Sequence, residues 1–152
     1  MREHIVNAVI LAVKETFRTM MSWPVENRPP IVRSDPMTFD GVSAIIGLVG
    51  KVTGSLSIHC PEEAALKVTS RLLGLDVKGI TPEVKDAVGE LINVVAGVAK
   101  RKASERDSVF EISIPTIITG KGHSVMPWVK WPNTIVEFSL GGDTFSVIVC
   151  VK

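Results

Sequence analysis

Two residues on one predicted helix carry the clearest chemistry in the chain, Glu90 and Asn93. They stand three apart in a run from about Pro82 to Ala103, so one helical turn projects a carboxylate and a carboxamide from the same face. The carboxylate can pair with a cation on a partner. The carboxamide donates and accepts hydrogen bonds, which suits holding a water molecule in one orientation. The two make a candidate hydrolytic pair. Glu-x-x-Asn also recurs by chance in helices, so the spacing alone does not separate a catalytic pair from a solvated surface.

Other chemistries find less support. Cys60 and Cys150 each adjoin an apolar, strand-like run and read as buried free thiols of a reducing compartment, not as a disulfide framework. His4, His59 and His123 are scattered without the spacing of metal ligands, so no metal site and no cofactor of the protein's own is expected. No Cys–His or Ser–His–Asp signature is evident.

On a wheel of about 100° per residue, Val84, Ala87, Val88, Leu91, Ile92, Val95, Val98 and Ala99 fill one arc, wide enough to cover a sheet. Asp86, Gly89, Glu90, Asn93, Ala96, Gly97 and Lys100 fall on the other. That second arc is poor in the long polar residues of a solvent face. A glycine inside a helix costs about 1 kcal/mol relative to alanine, so Gly89 and Gly97 point to a close neighbour at Asn93. The neighbour is either another helix of the same chain or a second protein.

The elements that must position this helix are legible in outline. Met1 to Met21 reads as a helix, with Ile5, Val9, Ala12, Val13 and Phe17 at helical spacing and Trp23-Pro24 as its stop. Arg28 to Arg33 reads as a short edge strand because Pro29 and Pro30 exclude a central one. Val42 to Val49 and Val52 to Cys60 read as a hairpin about Gly50-Lys51. Pro61 opens a helix that runs to about Leu73, with Gly74 as its stop. Thr81 is placed as the N-cap of the long helix, Pro82 as its first residue and Glu83 against its dipole. Phe110 to Thr119 reads as a strand with an edge or bulge at Pro115, and Gly120 to Pro132 as a loop whose Trp128 and Trp131 are either a contact surface or core anchors. Ile135 to Leu140 and Thr144 to Val151 form a second hairpin about Gly141-Gly142-Asp143.

At 152 residues with 45% hydrophobic content the chain suits a single domain over residues 1–152. Its net charge of +1 argues against a nucleic-acid partner, and Lys100, Arg101 and Lys102 read as a solvated helix end. No apolar run is long enough for a membrane span. Arg2 followed by Ile5 to Val13 mimics a short signal peptide, but Asn7 interrupts it and Lys14 and Glu15 follow, so an amphipathic helix of the mature protein is expected.

The chain also contains a weak internal echo. HIVNAVILAVK, from His4, aligns with ELINVVAGVAK, from Glu90, with Asn at the fourth place and Lys at the eleventh of each. A strand–Gly turn–strand unit follows each helix: LVGKVTGSLSIHC and SLGGDTFSVIVC. Either the chain is a helix-plus-hairpin duplication or two apolar helices coincide. In the first case His4 stands where Glu90 does, and only the second half keeps Glu and Asn together.

With these residues in view the chain resembles the CheC/CheX family of chemotaxis phosphatases, and its CheX-like branch more closely. The segments that carry the resemblance are HIVN at His4–Asn7, IIGLVGKVTGSLSI at Ile45–Ile58, GELINVVAGVAK at Gly89–Lys100 and ISIPTIITG at Ile112–Gly120. The resemblance implies an α+β, CheC-like fold of two long helices on an antiparallel sheet. It implies a homodimeric cytoplasmic protein that removes the aspartyl phosphate from a CheY-like receiver domain of two-component signalling. It implies that Mg2+ sits on the receiver. It assigns Glu90 a salt bridge to a receiver lysine and Asn93 the orientation of the attacking water. Gly89, Ala96, Gly97 and Lys100 would then face the partner. CheC-like relatives carry two Glu-x-x-Asn motifs, and His4 leaves this chain with one. A receiver-binding or flagellar-switch-like adaptor without hydrolysis is the alternative, as is a dimerisation module whose small-residue arc packs on its own fold.

Overall fold

The computed structural model describes residues 2–125 and 131–152. Its elements run α1 (Arg2–Met21), β1 (Glu26–Asn27), β2 (Ile31–Arg33), β3 (Thr38–Gly50), β4 (Gly54–Cys60), α2 (Glu62–Leu73), α3 (Pro82–Ser104), β5 (Phe110–Ile112), β6 (Thr116–Ser124), β7 (Asn133–Leu140) and β8 (Asp143–Val151). The strands make one antiparallel sheet in the order β1-β7-β8-β4-β3-β5, with β2 also on the β7 edge and β6 on the β3 edge.

The helix-and-hairpin echo has a structural counterpart. A helix followed by four strands occurs twice, α1 with β1 to β4 and α3 with β5 to β8. The long hairpins β3–β4 and β7–β8 meet along β4 and β8 at the sheet centre. Each half lends its two short strands to the other's outer edge, β1 and β2 to β7, β5 and β6 to β3.

All three helices cover one face. Alternate residues of a strand point to opposite faces, so Leu56, Ile58 and Cys60 of β4 enter the core beneath the helices together with Phe17, Ile46, Leu91, Ile92 and Phe138. Phe145 lies between Phe17 and Phe138, its ring stacked 5.1 and 5.2 Å from theirs. Two glycines turn the β7–β8 hairpin because Gly141 and Gly142 adopt φ of 52° and 88°, a left-handed pair that suits the twist of the strands. At Gly141 the space is also taken, since a Cβ there would come within 2.7 Å of Trp23 Cζ2.

Strand limits depart from expectation in several places: the edge strand expected over Arg28 to Arg33 is confined to Ile31–Arg33, Glu26–Asn27 adds an unexpected short strand, and β4 begins at Gly54 and not at Val52. β3 begins at Thr38, ahead of Val42. The Phe110–Thr119 strand divides into β5 and β6 at Ser113–Pro115, where Ser113 Oγ accepts from Gly47 N at 2.8 Å. The expected loop from Gly120 is still strand as far as Ser124, paired with Thr38 across the sheet. Trp128 lies outside the described residues, and Trp131 is half-buried.

Candidate functional site

The site is built on α3. Thr81 sits extended at the N-cap and its carbonyl receives Val84 N at 3.1 Å and Lys85 N at 3.2 Å. Its hydroxyl makes no capping bond, so the helix start rests on Pro82 at the first position and Glu83 beside the dipole. α3 packs against both α1 and α2 and lies across β3, β4 and β5. Arg101 Nη2 reaches Glu15 Oε2 of α1 at 3.0 Å, a further tie between the two long helices.

Val84, Ala87, Val88, Gly89, Leu91, Ile92, Val95, Ala96, Ala99 and Ala103 are buried. The exposed residues of the middle turns form one narrow row: Asp86, Glu90, Asn93 and Gly97. Glu90 and Asn93 therefore stand where the spacing put them, on solvent and one turn apart. Among the described residues neither side chain has a hydrogen bond or ion pair.

Two of the residues expected to face a partner do not. Ala96 is 0% exposed and belongs to the core, and Gly89 is buried. The cause is the number of neighbours. A helix enclosed by two helices and a sheet buries well over half its circumference, not one face. Gly89 has an internal reason to lack a side chain, because a Cβ there would lie 3.1 Å from Ile117 Cδ1 of β6. Gly97 remains exposed, with nothing within 4 Å of a Cβ built on it. Lys100 is half-buried, and its Nζ is held 2.9 Å from Glu111 Oε2 on β5.

The corresponding row of α1 carries His4, Asn7 and Leu11. Asn7 is exposed, and Leu11 is 55% exposed. His4 is partly buried, with an Nε2 that finds no partner among the described residues. That face holds no carboxylate at the position equivalent to Glu90.

The opposite face of the sheet hides a polar chain that the sequence reading passed over. Ser57 Oγ lies 2.8 Å from His59 Nε2, His59 Nδ1 lies 2.7 Å from Ser43 Oγ, and Ser43 Oγ lies 2.6 Å from His123 Nε2. His123 Nδ1 lies 2.9 Å from the Gly120 carbonyl, which can only accept. That end sets the direction of the rest with both imidazoles neutral. His123 Nδ1–H donates to Gly120, Ser43 donates to His123, His59 Nδ1–H donates to Ser43, and Ser57 donates to His59. Phe39 stacks on His59 at 3.9 Å. Burial, aided by the neighbouring His123, lowers the His59 pKa to about 3. Ser43, Ser57 and His59 are each at most 2% exposed, so a substrate does not reach them. The only sequence trace is the alternation Ser55, Ser57, His59 in β4, which imitates a solvated strand face.

Burial pushes the Cys60 thiol up to about 12 and raises that of Cys150, so neither is poised as a nucleophile. Among the described residues no group of three or more His, Cys, Asp or Glu could hold a metal ion, and no helix is long and apolar enough to cross a membrane. The exposed row on α3 offers the carboxylates of Asp86 and Glu90 to a partner and the Asn93 carboxamide to orient a water.

Comparison with known proteins adds the context. The family model for the chemotaxis phosphatase CheX matches residues 42–139. The CheY-P phosphatase CheX of Thermotoga maritima is 30% identical over 122 residues, which cover 80% of this chain and 79% of that one. The crystal structure of a chemotaxis protein CheX from Vibrio vulnificus superposes with a TM-score of 0.89 at 31% identity, covering 97% of this chain and 99% of that one. A CheX–CheY complex with BeF3 and Mg2+ from Borrelia burgdorferi gives a TM-score of 0.80 at 28% identity, with 97% of each chain covered.

Proposed function

Since the chain belongs to the chemotaxis phosphatase CheX family, we propose that it hydrolyses the aspartyl phosphate of a CheY-like receiver domain, with α3 as the working element. The observation that carries this reading is the pair itself: Glu90 and Asn93, exposed, unpaired among the described residues, and one turn apart on a helix gripped on its other sides. The curated relative is a CheY-P phosphatase, and a solved relative is held with CheY.

The roles follow from what each group can do. Glu90 pairs with a receiver lysine and seats α3 over the phosphorylated aspartate. Asn93 enters the receiver site and holds a water by its carboxamide, in line with the bond to be broken. The water oxygen bonds to phosphorus as the phosphorus–carboxylate oxygen bond breaks, releasing inorganic phosphate and restoring the aspartate. Mg2+ on the receiver offsets the charge on the phosphoryl oxygens. The protein contributes positioning, which is worth several orders of magnitude when geometry is held. Of the remaining row, Gly97 faces the receiver. Lys100 borders the surface, with its ammonium committed to Glu111. We propose further that residues 1–152 act as one CheX-like domain, as a cytoplasmic homodimer.

A phosphate-release assay on a phosphorylated receiver tests the assignment. Asn93→Ala should lower turnover at least about 100-fold with the receiver still bound. Glu90→Ala should weaken receiver binding about 10-fold or more, the worth of a charge-assisted hydrogen bond. Both residues are exposed, so folding stability should move by no more than about 0.5 kcal/mol. An Asn93→Ala protein that releases phosphate at the parent rate removes the catalytic assignment. Full receiver affinity in Glu90→Ala removes the salt bridge.

A further inference from the structure

Gly97 stands on the exposed row four residues after Asn93 and seven after Glu90, in the interior of a 23-residue helix. Glycine is the costliest residue after proline in such a place, so its presence needs a cause. The fold does not supply one. A Cβ built at Gly97 meets nothing within 4 Å, and its backbone φ is not among the positive values of the chain. Gly89, on the same helix, is the contrast, because Ile117 crowds it from within the molecule.

The two related helices point the same way. In the alignment of His4–Lys14 with Glu90–Lys100, the place of Gly97 is taken by Leu11, which is 55% exposed. The row that carries His4 in place of the carboxylate carries a bulky side chain at this place. The row that carries Glu90 carries none. The bare position thus accompanies the carboxylate, not the helix type.

Its use follows from reach. An asparagine side chain is short, and it enters a recess on another protein only if its neighbours are shorter. The backbone of a helix lies about 2.3 Å from its axis and its side chains about 5–6 Å. A bare turn therefore lets a partner approach about 3 Å closer. On the C-terminal side of Asn93 the next turn is low, because Gly97 has no side chain and Ala96 is buried, and beyond it the Lys100 ammonium is drawn to Glu111 at 2.9 Å and the Arg101 guanidinium to Glu15 at 3.0 Å. Asn93 protrudes because the ground beyond it is cleared.

We propose that Gly97 is a docking residue for the phosphorylated receiver, its missing side chain allowing the partner to settle against the α3 backbone deeply enough for Asn93 to reach the phosphoryl group. This rests on the assignment of Glu90 and Asn93 above. Gly97 touches the partner surface and not the reacting atoms, so filling its place weakens binding and, by holding the partner off α3, leaves Asn93 short of the phosphoryl group.

The test compares Gly97→Ala, Gly97→Leu and, off the row, Lys85→Leu, using receiver phosphorylated by a small-molecule donor. Gly97→Ala should raise the melting temperature by about 2–4 °C, since the helix gains and nothing clashes. KM for the phosphorylated receiver should rise in a graded way, at least tenfold for Gly97→Leu, and kcat should fall in the same order, parent above Gly97→Ala above Gly97→Leu, as Asn93 is held further from the phosphoryl group. Lys85→Leu should leave KM unchanged. A lower melting temperature in Gly97→Ala would mean that the fold itself requires the glycine and would overturn the proposal. So would an unchanged KM in Gly97→Leu while the parent is active. A parent protein that releases no phosphate from any receiver of its source organism fails at the level of the underlying function, before the variants are compared.

Discussion

Acidification from pH 7 to pH 5 should cost the folded state about 2 kcal/mol through His59 alone. The imidazole has an ordinary pKa of 6.5 in the unfolded chain, and burial lowers it to about 3 in the folded protein. The native state therefore refuses a proton that the unfolded state accepts between those values. Stability is intact above the unfolded pKa and declines as pH falls below it, until the folded pKa is reached. At pH 5 the unfolded group lies about 1.5 units above ambient, and each unit is about 1.4 kcal/mol. By pH 3, where the folded group is itself half protonated, the loss would reach about 4 kcal/mol, a large part of the stability of an ordinary domain. The structural reason is specific. With His123 donating to Gly120, every hydrogen-bonding atom of neutral His59 is already used by Ser43 and Ser57, and Phe39 covers the ring. Urea unfolding of the parent and of His59→Gln at pH 7 and pH 5 isolates the contribution, because carboxylates common to both cancel in the difference. The parent should lose about 2 kcal/mol more than the variant over this interval. Equal losses, or an NMR titration of His59 near pH 6.5, would refute the reasoning.

Two further outcomes follow from contacts around α3. Gly89→Ala should change stability by less than about 1 kcal/mol, because the helix gain of about that size is opposed by the 3.1 Å approach to Ile117 Cδ1. In an Ile117→Val background that atom is gone and Gly89→Ala should become stabilising, a coupling that a double-mutant cycle measures. The Lys100–Glu111 pair joins a side chain 35% exposed to one 78% exposed. Lys100→Met should therefore cost less than about 1 kcal/mol by chemical denaturation, and the cost should shrink in high salt.

The parts of the fold decided by local sequence were legible. Helical spacing with Pro82 at one end placed α3 almost to the residue, and Gly74, with φ of 67°, ends α2 as expected. The strands were legible in number on the two long hairpins but not in extent. Nothing local tells Gly120 to Ser124 to remain extended. Their partner does so, since β3 continues out to Thr38 and offers a ladder. Likewise the alternation of Ser57 and His59 reads as a wet face, and only the packing of Phe39 and His123 against it makes the face dry.

The most instructive failure lies on α3 itself. A helical wheel assigns a residue an angle but not the number of neighbours around the helix, so Gly89 and Ala96 fell on the same arc as Glu90 and Asn93 although both are buried. Two glycines in one helix thus carried one apparent message and have two physical causes. Gly89 allows α3 to approach β6 closely and so helps fix where the backbone beside Glu90 lies. Gly97 allows nothing within its own chain. If the protein works by positioning, these causes are complementary: the first glycine sets the helix into its own fold, and the second leaves the outside of that helix open to another.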